Sequence, residues 1–188
     1  MKENKPLAKW VVKEETYFER FRIFDVLKST RINPRTSVAV DFLLMRGLDW
    51  VIVIALTEKN EVVLIEQYRH GSEEITTEIP GGCIEPGENP LDSGLRELRE
   101  ETGFVATSAE SLGVIFANPA LQGMRCHIFL AKGAKLSSAP TLDPGEDINV
   151  LLMPLSEVFE KIRRGEITHS LVVAAFGLFA LLERDGQA

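Results

Sequence analysis

Between Gly81 and Phe104 the chain reads GGCIEPGENPLDSGLRELREETGF, and acidic side chains crowd its second half. Glu97 and Glu100 are three residues apart, Glu97 and Glu101 four, so on a helix their carboxylates share one surface, with Leu98 pointing away from them. Like charges one turn apart repel. Either solvent and the interspersed arginines absorb that repulsion, or a cation sits among the glutamates. Three carboxylates within a turn suit a hard divalent ion such as Mg2+ or Mn2+, which takes oxygen ligands. Zinc would call for His or Cys, which the helix lacks. Magnesium usually shares its shell with waters and substrate phosphates, so this reading points to phosphate chemistry. RELREE alone also fits a solvated acidic face, the commoner use of such a pattern. The segment ahead of it favours the metal: the Gly81-Gly82 turn lets backbone groups approach a ligand closely, and Glu88 adds another acid.

These residues need a frame. Asn89 is placed to cap a helix, Pro90 suits its first turn and Gly103 its end. Leu91, Leu95 and Leu98 recur at helical spacing and predict a core-facing stripe. DWVIVIALT (49–57) and EVVLIEQYR (61–69) flank EKN as a hairpin, and ITTEIP (75–80) is a short strand stopped by Pro80. Residues 8–45 hold three β-rich runs, KWVVKEET, YFERFRIFDVLK and TSVAVDFLLM, with a turn at Asn33-Pro34. After the acidic helix come two strands, SLGVIFA and MRCHIFLAKG, a polar loop over 135–147, a strand INVLLMPL and two helices. That order predicts an α+β architecture: a mixed sheet between helical layers, with an N-terminal β-rich extension over 1–45 and the main domain over 46–188.

With 188 residues, 45% hydrophobic and 26% charged, the chain reads as one globular domain with a small appendage. A net charge of −7 argues against nucleic acid and anionic membranes as partners. An anionic substrate stays open, because a bound cation inverts the local field. Cys83 and Cys126 follow no metal-ligand spacing and read as packing residues in a reduced, cytoplasmic setting. The N-terminus lacks the apolar core of a signal peptide. LVVAAFGLFALL (171–182) is too short to span a bilayer, which takes about 20 residues, and reads as a buried C-terminal helix. His70, His127 and His169 read as structural.

Gly82, Glu88, Arg96, Glu97, Leu98, Glu100, Glu101, Gly103 and Phe104 fill the nine fixed positions of the Nudix box at its spacing. The chain thus resembles the Nudix hydrolases, and over roughly 17–180 it is similar to their ADP-ribose pyrophosphatase and nucleoside-diphosphate-sugar hydrolase branch. The resemblance implies a Nudix fold, an α/β/α sandwich, and Mg2+-dependent hydrolysis (Mn2+ possible) of a nucleotide-sugar diphosphate such as ADP-ribose, giving a nucleoside monophosphate and a sugar phosphate. It implies metal ligation by Glu97, Glu101, Glu100 and the Gly81 carbonyl, with Arg96 and Glu88 orienting them. The catalytic set is then Glu146, Glu100 and Arg96; Glu146, in PTLDPGEDI, is the general base, with Asp143 or a box glutamate as the alternative. Arg69, in the branch's Gln-Tyr-Arg strand, would touch the diphosphate, and Glu78 the substrate or a metal-bound water. Pro119 lies where the branch places a proline associated with ADP-ribose hydrolysis, although Asn118-Pro119-Ala120 departs from its usual Ser-Pro-Gly. The long N-terminus implies a homodimer with Phe18, Phe21 or Arg35 near the partner or the base. Two other functions share the box: a nucleoside-triphosphate pyrophosphohydrolase and a non-catalytic sensor of ADP-ribose.

Overall fold

In the computed structural model, residues 6–186 are described. They fall into two compact units: residues up to Gly47 together with Asn118–Met124, and Leu48–Ala117 together with the chain from Arg125 onward.

The first unit is a three-stranded antiparallel meander of β1 (Val11–Arg20), β2 (Phe24–Ile32) and β3 (Ala39–Gly47). β1 is continuous where the sequence suggested two runs; the chain reverses at Phe21–Ile23, where the Phe21 N–H donates to the Phe24 carbonyl. Asn33 builds the next turn: its side chain accepts from the Arg35 and Thr36 N–H groups, and its carbonyl from Ser37. This is the local pairing that makes Asn a turn residue. Glu15 and Arg46 bind one another across the sheet at 2.6 and 2.8 Å. The segment 118–124 joins through the Met45 N–H, which donates to the Leu121 carbonyl at 2.9 Å.

The second unit is built on β4 (Trp50–Thr57), β5 (Glu61–Arg69), β6 (Glu74–Glu78), β7 (Gly81–Cys83), β8 (Phe104–Val105), β9 (Ser108–Phe116), β10 (Arg125–Leu136) and β11 (Ile148–Pro154). Its helices are α1 (Pro90–Thr102), α2 (Leu155–Arg164) and α3 (Ser170–Asp185). The sheet runs β11-β5-β4-β10-β8, with β6 on β5, β7 on β4 and β9 on β10. It is mixed, because β4 and β10 pair in parallel while their other partners are antiparallel. β4 is apolar from Trp50 to Leu56, as a strand covered on both faces must be. Ile52, Ile54 and Leu56 face one core with Val158, Val172, Ala175, Phe176 and Phe179 from the last two helices. Val51, Val53 and Ala55 face the other core, which holds Leu98 of α1. The period of two along one strand thus feeds both layers.

The C-terminal helix departs from expectation. Val172, Ala175, Phe176 and Phe179 are buried, but Val173, Leu181 and Leu182 are exposed, so α3 is covered on one side only. No helix among the described residues is long and apolar enough to cross a membrane.

Candidate active site

The acidic helix forms because its ends are well terminated. The Asn89 side chain accepts from the Leu91 N–H at 2.9 Å, Pro90 opens the first turn, and Gly103 closes the helix at φ 74°, a conformation glycine adopts without strain. The core-facing stripe differs from the leucine pattern. Leu98 is fully buried and Leu91 packs beside it, but Leu95 is only half-buried, on a surface depression with Arg99, Val105 and Ala106. Gly94 takes the inner position instead: a Cβ there would press to 2.9 Å on both Val51 and Val53. The inner stripe is therefore 94, 98 and 101, which carries Glu101 to the buried side of the helix, only 4% exposed. The expectation that Leu98 points away from all three carboxylates fails for Glu101.

The glycine turn brings backbone to that carboxylate. The Gly81 N–H donates to Glu101 Oε2 at 2.9 Å. A Cβ on Gly81 would collide with the Val51 carbonyl, and one on Gly82 would meet the Glu97 carboxylate at 2.5 Å. Burial pushes the Glu101 carboxyl up to about 8, opposed by the Gly81 N–H and reinforced by the charges of Glu97 and Glu146. Burial raises Glu97 as well, with Arg96 opposing.

Arg96 gathers the remaining acids. Its guanidinium donates to Glu88 at 2.9 and 3.1 Å and to Glu97 and Glu100 at 2.9 Å each. The same side chain reaches Ser93 Oγ at 3.2 Å. The Arg96 bonds hold the Glu88 carboxyl down at about 2. Arg96 is thus a clamp on three carboxylates, which accounts for much of the crowding.

The polar loop after β10 is fastened to the end of α1. Ser137 and Ser138 donate N–H bonds to the Gly103 carbonyl, and the Thr141 N–H donates to the Glu100 carbonyl at 2.7 Å. Within the loop the Glu146 N–H donates to the Asp143 carbonyl, and Glu146 Oε2 accepts from the Asp143 N–H, both at 2.9 Å. Glu146 is exposed, yet its charge contributes to raising both Glu97 and Glu101. Glu97, Glu100 and Glu101 thus lie in the last turns of α1, and the charge of Glu146 bears on two of them.

On the strand side, Arg69 at the end of β5 forms a two-bond fork with Glu78 of β6, 2.7 Å in each arm. Glu78 is buried, accepts from Thr76 Oγ1 at 2.6 Å, and has His169 Nε2 at 3.6 Å. Arg69 lies close enough to Glu101 for each to stabilise the other's charge. Arg69 and Glu78 are both expected site residues, and they bind one another. Sequence reasoning missed Thr76, and treated His169 as structural. Thr76 had a signal, since residues two apart on a strand share a face. His169 had none, because its neighbour is distant in sequence.

Phe18, Arg35 and Pro119 all belong to the first unit. Phe18 is exposed and occupies a β-bulge between the Tyr17 and Glu19 pairs with β2. Arg35 sits in the Asn33 turn, and Pro119 in an exposed turn of 118–124, where Asn118 accepts from Leu121 and Gln122.

A family model described as the NUDIX domain matches residues 45–176. The chain belongs to the Nudix family. It is 37% identical over 134 residues to a methanol dehydrogenase activator of Bacillus methanolicus, covering 71% of this chain and 72% of that one. It is 29% identical over 134 residues to an ADP-ribose pyrophosphatase of Bacillus subtilis strain 168, with the same coverage. A solved structure titled as an ADP compounds hydrolase shares its fold at a TM-score of 0.85, with 23% identity, 98% of this chain and 100% of the other covered. The mixed sheet between helices is the Nudix fold, and the chain is a Nudix hydrolase.

Nudix hydrolases work with divalent cations. Among the described residues, no three His, Cys, Asp or Glu side chains converge as a ready-made cage. A magnesium-like ion does not require one, because waters and substrate phosphates complete its shell. The acids at the end of α1 are all oxygen donors, and Glu101 carries a burial penalty that a neighbouring cation would offset. The donor chemistry fits a hard divalent ion.

Proposed function

We propose that this Nudix hydrolase cleaves the diphosphate of a nucleoside-diphosphate sugar such as ADP-ribose, giving a nucleoside monophosphate and a sugar phosphate, with Mg2+ as its ion and Mn2+ as a substitute. The observation that carries this reading is the buried Glu101 carboxylate, whose ionisation the charges of Glu97 and Glu146 oppose and that of Arg69 favours. Glu97, Glu101 and Glu100, with the Gly81 backbone, would hold the ion. When bound, it supplies positive charge to the diphosphate oxygens and acidity to a water.

The chain's own groups do the rest. Arg69 turns a guanidinium toward the diphosphate, a planar fork suited to phosphate oxygens. Arg96 keeps Glu97 and Glu100 in register by two 2.9 Å bonds and acts through them as a positioning residue. Glu146 takes the proton from the attacking water, its loop tied to the Glu100 carbonyl by Thr141. The water oxygen bonds to one phosphorus as the bridging P–O bond to the other phosphate breaks. The Glu146 charge bears on both Glu97 and Glu101, which favours this loop acid as the base.

We propose also that two copies associate through the first unit, with Phe18, Arg35 and Pro119 contributing to the nucleotide pocket. Its strands expose Val11, Val12, Phe18 and Leu43, and the turn between β1 and β2 exposes Phe21; clustered exposed apolar side chains mark interaction surfaces. Residues 6–47 carry eight Lys or Arg against five Asp or Glu, whereas the chain as a whole has a charge of −7. A basic N-terminal unit suits an anionic ligand.

The test is turnover with Mg2+ of a panel holding ADP-ribose, ADP-glucose, GDP-mannose, UDP-glucose, NADH and nucleoside triphosphates, read as phosphatase-released phosphate. Monophosphate products from the sugars but not the triphosphates are expected. Turnover of triphosphates alone would overturn the substrate class. No turnover, with ADP-ribose still raising Tm, would make the protein a sensor.

A further inference from the structure

Arg69 has five N–H donors, and Glu78 takes those on one edge: Nε and one on Nη2, each at 2.7 Å. The other edge of the planar fork, on Nη1 and Nη2, is left to face outward, and the Arg69 side chain is 44% exposed. Glu78 has little freedom. Its side chain is 4% exposed, Thr76 Oγ1 donates to Oε1 at 2.6 Å, and the His169 ring stands 3.6 Å from Oε2. His169 immediately precedes α3, whose buried residues anchor it to the core, and its Nδ1 is buried with no partner. A proton on Nε2 leaves a bare lone pair on Nδ1 and directs the N–H toward Glu78. Three elements, β5, β6 and the start of α3, therefore fix one guanidinium.

We infer that Glu78, braced by Thr76 and His169, is a positioning residue that touches neither substrate nor ion and acts by presenting the free edge of Arg69 to a diphosphate. This deepens the proposed function and rests on its diphosphate site. It revises the expectation that Glu78 contacts the substrate directly. A buried carboxylate already committed to Arg69 and Thr76 has few lone pairs left for a ligand.

A double-mutant cycle separates the two possibilities. Binding of inorganic pyrophosphate in the presence of Mg2+ is measured by calorimetry on the full chain, alongside turnover of ADP-ribose. Arg69→Lys keeps the charge but loses the fork and is expected to weaken pyrophosphate binding about 10-fold or more. Glu78→Gln is expected to weaken it several-fold in the wild-type background and less than about 2-fold in the Arg69→Lys background, because it acts only through Arg69. An effect of equal size in both backgrounds means that Glu78 meets the ligand itself and overturns the inference. Thr76→Val keeps the side-chain volume and guards against misfolding of the Glu78 variant. It is expected to weaken pyrophosphate binding in the wild-type background and not in the Arg69→Lys one; no effect in the former overturns the bracing. If the wild type binds pyrophosphate but turns over no member of the panel, the substrate reading falls while this cycle still decides. If the wild type binds no pyrophosphate, there is no ligand for Arg69 to meet and the inference falls.

Discussion

Glu101 concentrates the chemistry of a single residue. Its carboxyl sits at about 8 instead of the ordinary 4.5 because burial disfavours its charge. A carboxyl with a raised folded-state pKa favours folding below its unfolded value and loses that contribution as pH rises through the folded value. Without divalent ions, Tm is therefore expected to fall between about pH 5 and pH 8, from the Glu101 shift. Glu101→Gln should flatten that fall and Mg2+ should oppose it; calorimetric melts at stepped pH with chelator or Mg2+ check both. A fall of the same size in the Gln variant would show that another group is responsible. The same substitution is expected to abolish turnover while leaving the far-UV spectrum unchanged. Near-normal activity with Mg2+ would remove Glu101 from the ion site.

At the scale of elements, α1 is both a scaffold and a charge clamp. Leu98→Ala deletes a fully buried side chain from the inner stripe and is expected to cost about 2–5 kcal/mol, read by denaturant unfolding. The Arg96 hub behaves oppositely to Glu101 in pH. Glu88 is held at about 2 by Arg96, so its contribution to stability is present above the ordinary carboxylate value and lost as pH falls from about 4.5 toward 2. Glu88→Gln is expected to shrink the acid-side loss of Tm, and an unchanged acid limb would refute the clamp. Much of this element was legible. Asn89, Pro90 and Gly103 marked its ends, and the spacing of Glu97 and Glu100 marked the shared surface on which Arg96 binds both. The inward turn of Glu101 was not, because the leucine pattern drew attention to Leu95 while Gly94, which has no side chain to count as apolar, took the inner position against Val51 and Val53. The Arg69–Glu78–His169 contact was equally hidden, since strand pairing and a distant helix create it. The loop acid Glu146 could be aligned by resemblance, but its fastening through backbone bonds to Gly103 and Glu100 has no residue-type signature.

For the whole molecule, the expectation is a homodimer. Light scattering should give twice the 20.9 kDa chain mass, and a monomer at micromolar concentration would defeat the proposal. Because the N-terminal strands are basic, two copies of them repel, so association through them should strengthen as salt rises to 0.1 M and above, where charges beyond about 10 Å are screened. Insensitivity to salt would assign the contact to the apolar side chains alone. The order of strands and helices told in advance that a mixed sheet lies between helical layers, which is why the architecture was readable. The segment 118–124 was not, since a short turn between two strands gave no hint that it joins the N-terminal unit.

The parallel pairing of β4 with β10 bears on how the protein acquires its site. Trp50 registers with Cys126 and Ala55 with Ala131, so the central pair cannot close until the hairpin, the glycine turn and α1 between them have been laid down. Long-range closures of this kind are slow steps in folding. Helical signal should thus return early on refolding, whereas the Gly81 to Glu101 bond, which needs β7 already docked on β4, should return late. A nascent chain would pass through a stage that has its glutamate helix but no competence to hold an ion, and the growing polypeptide would gain activity only when β10 inserts beside β4.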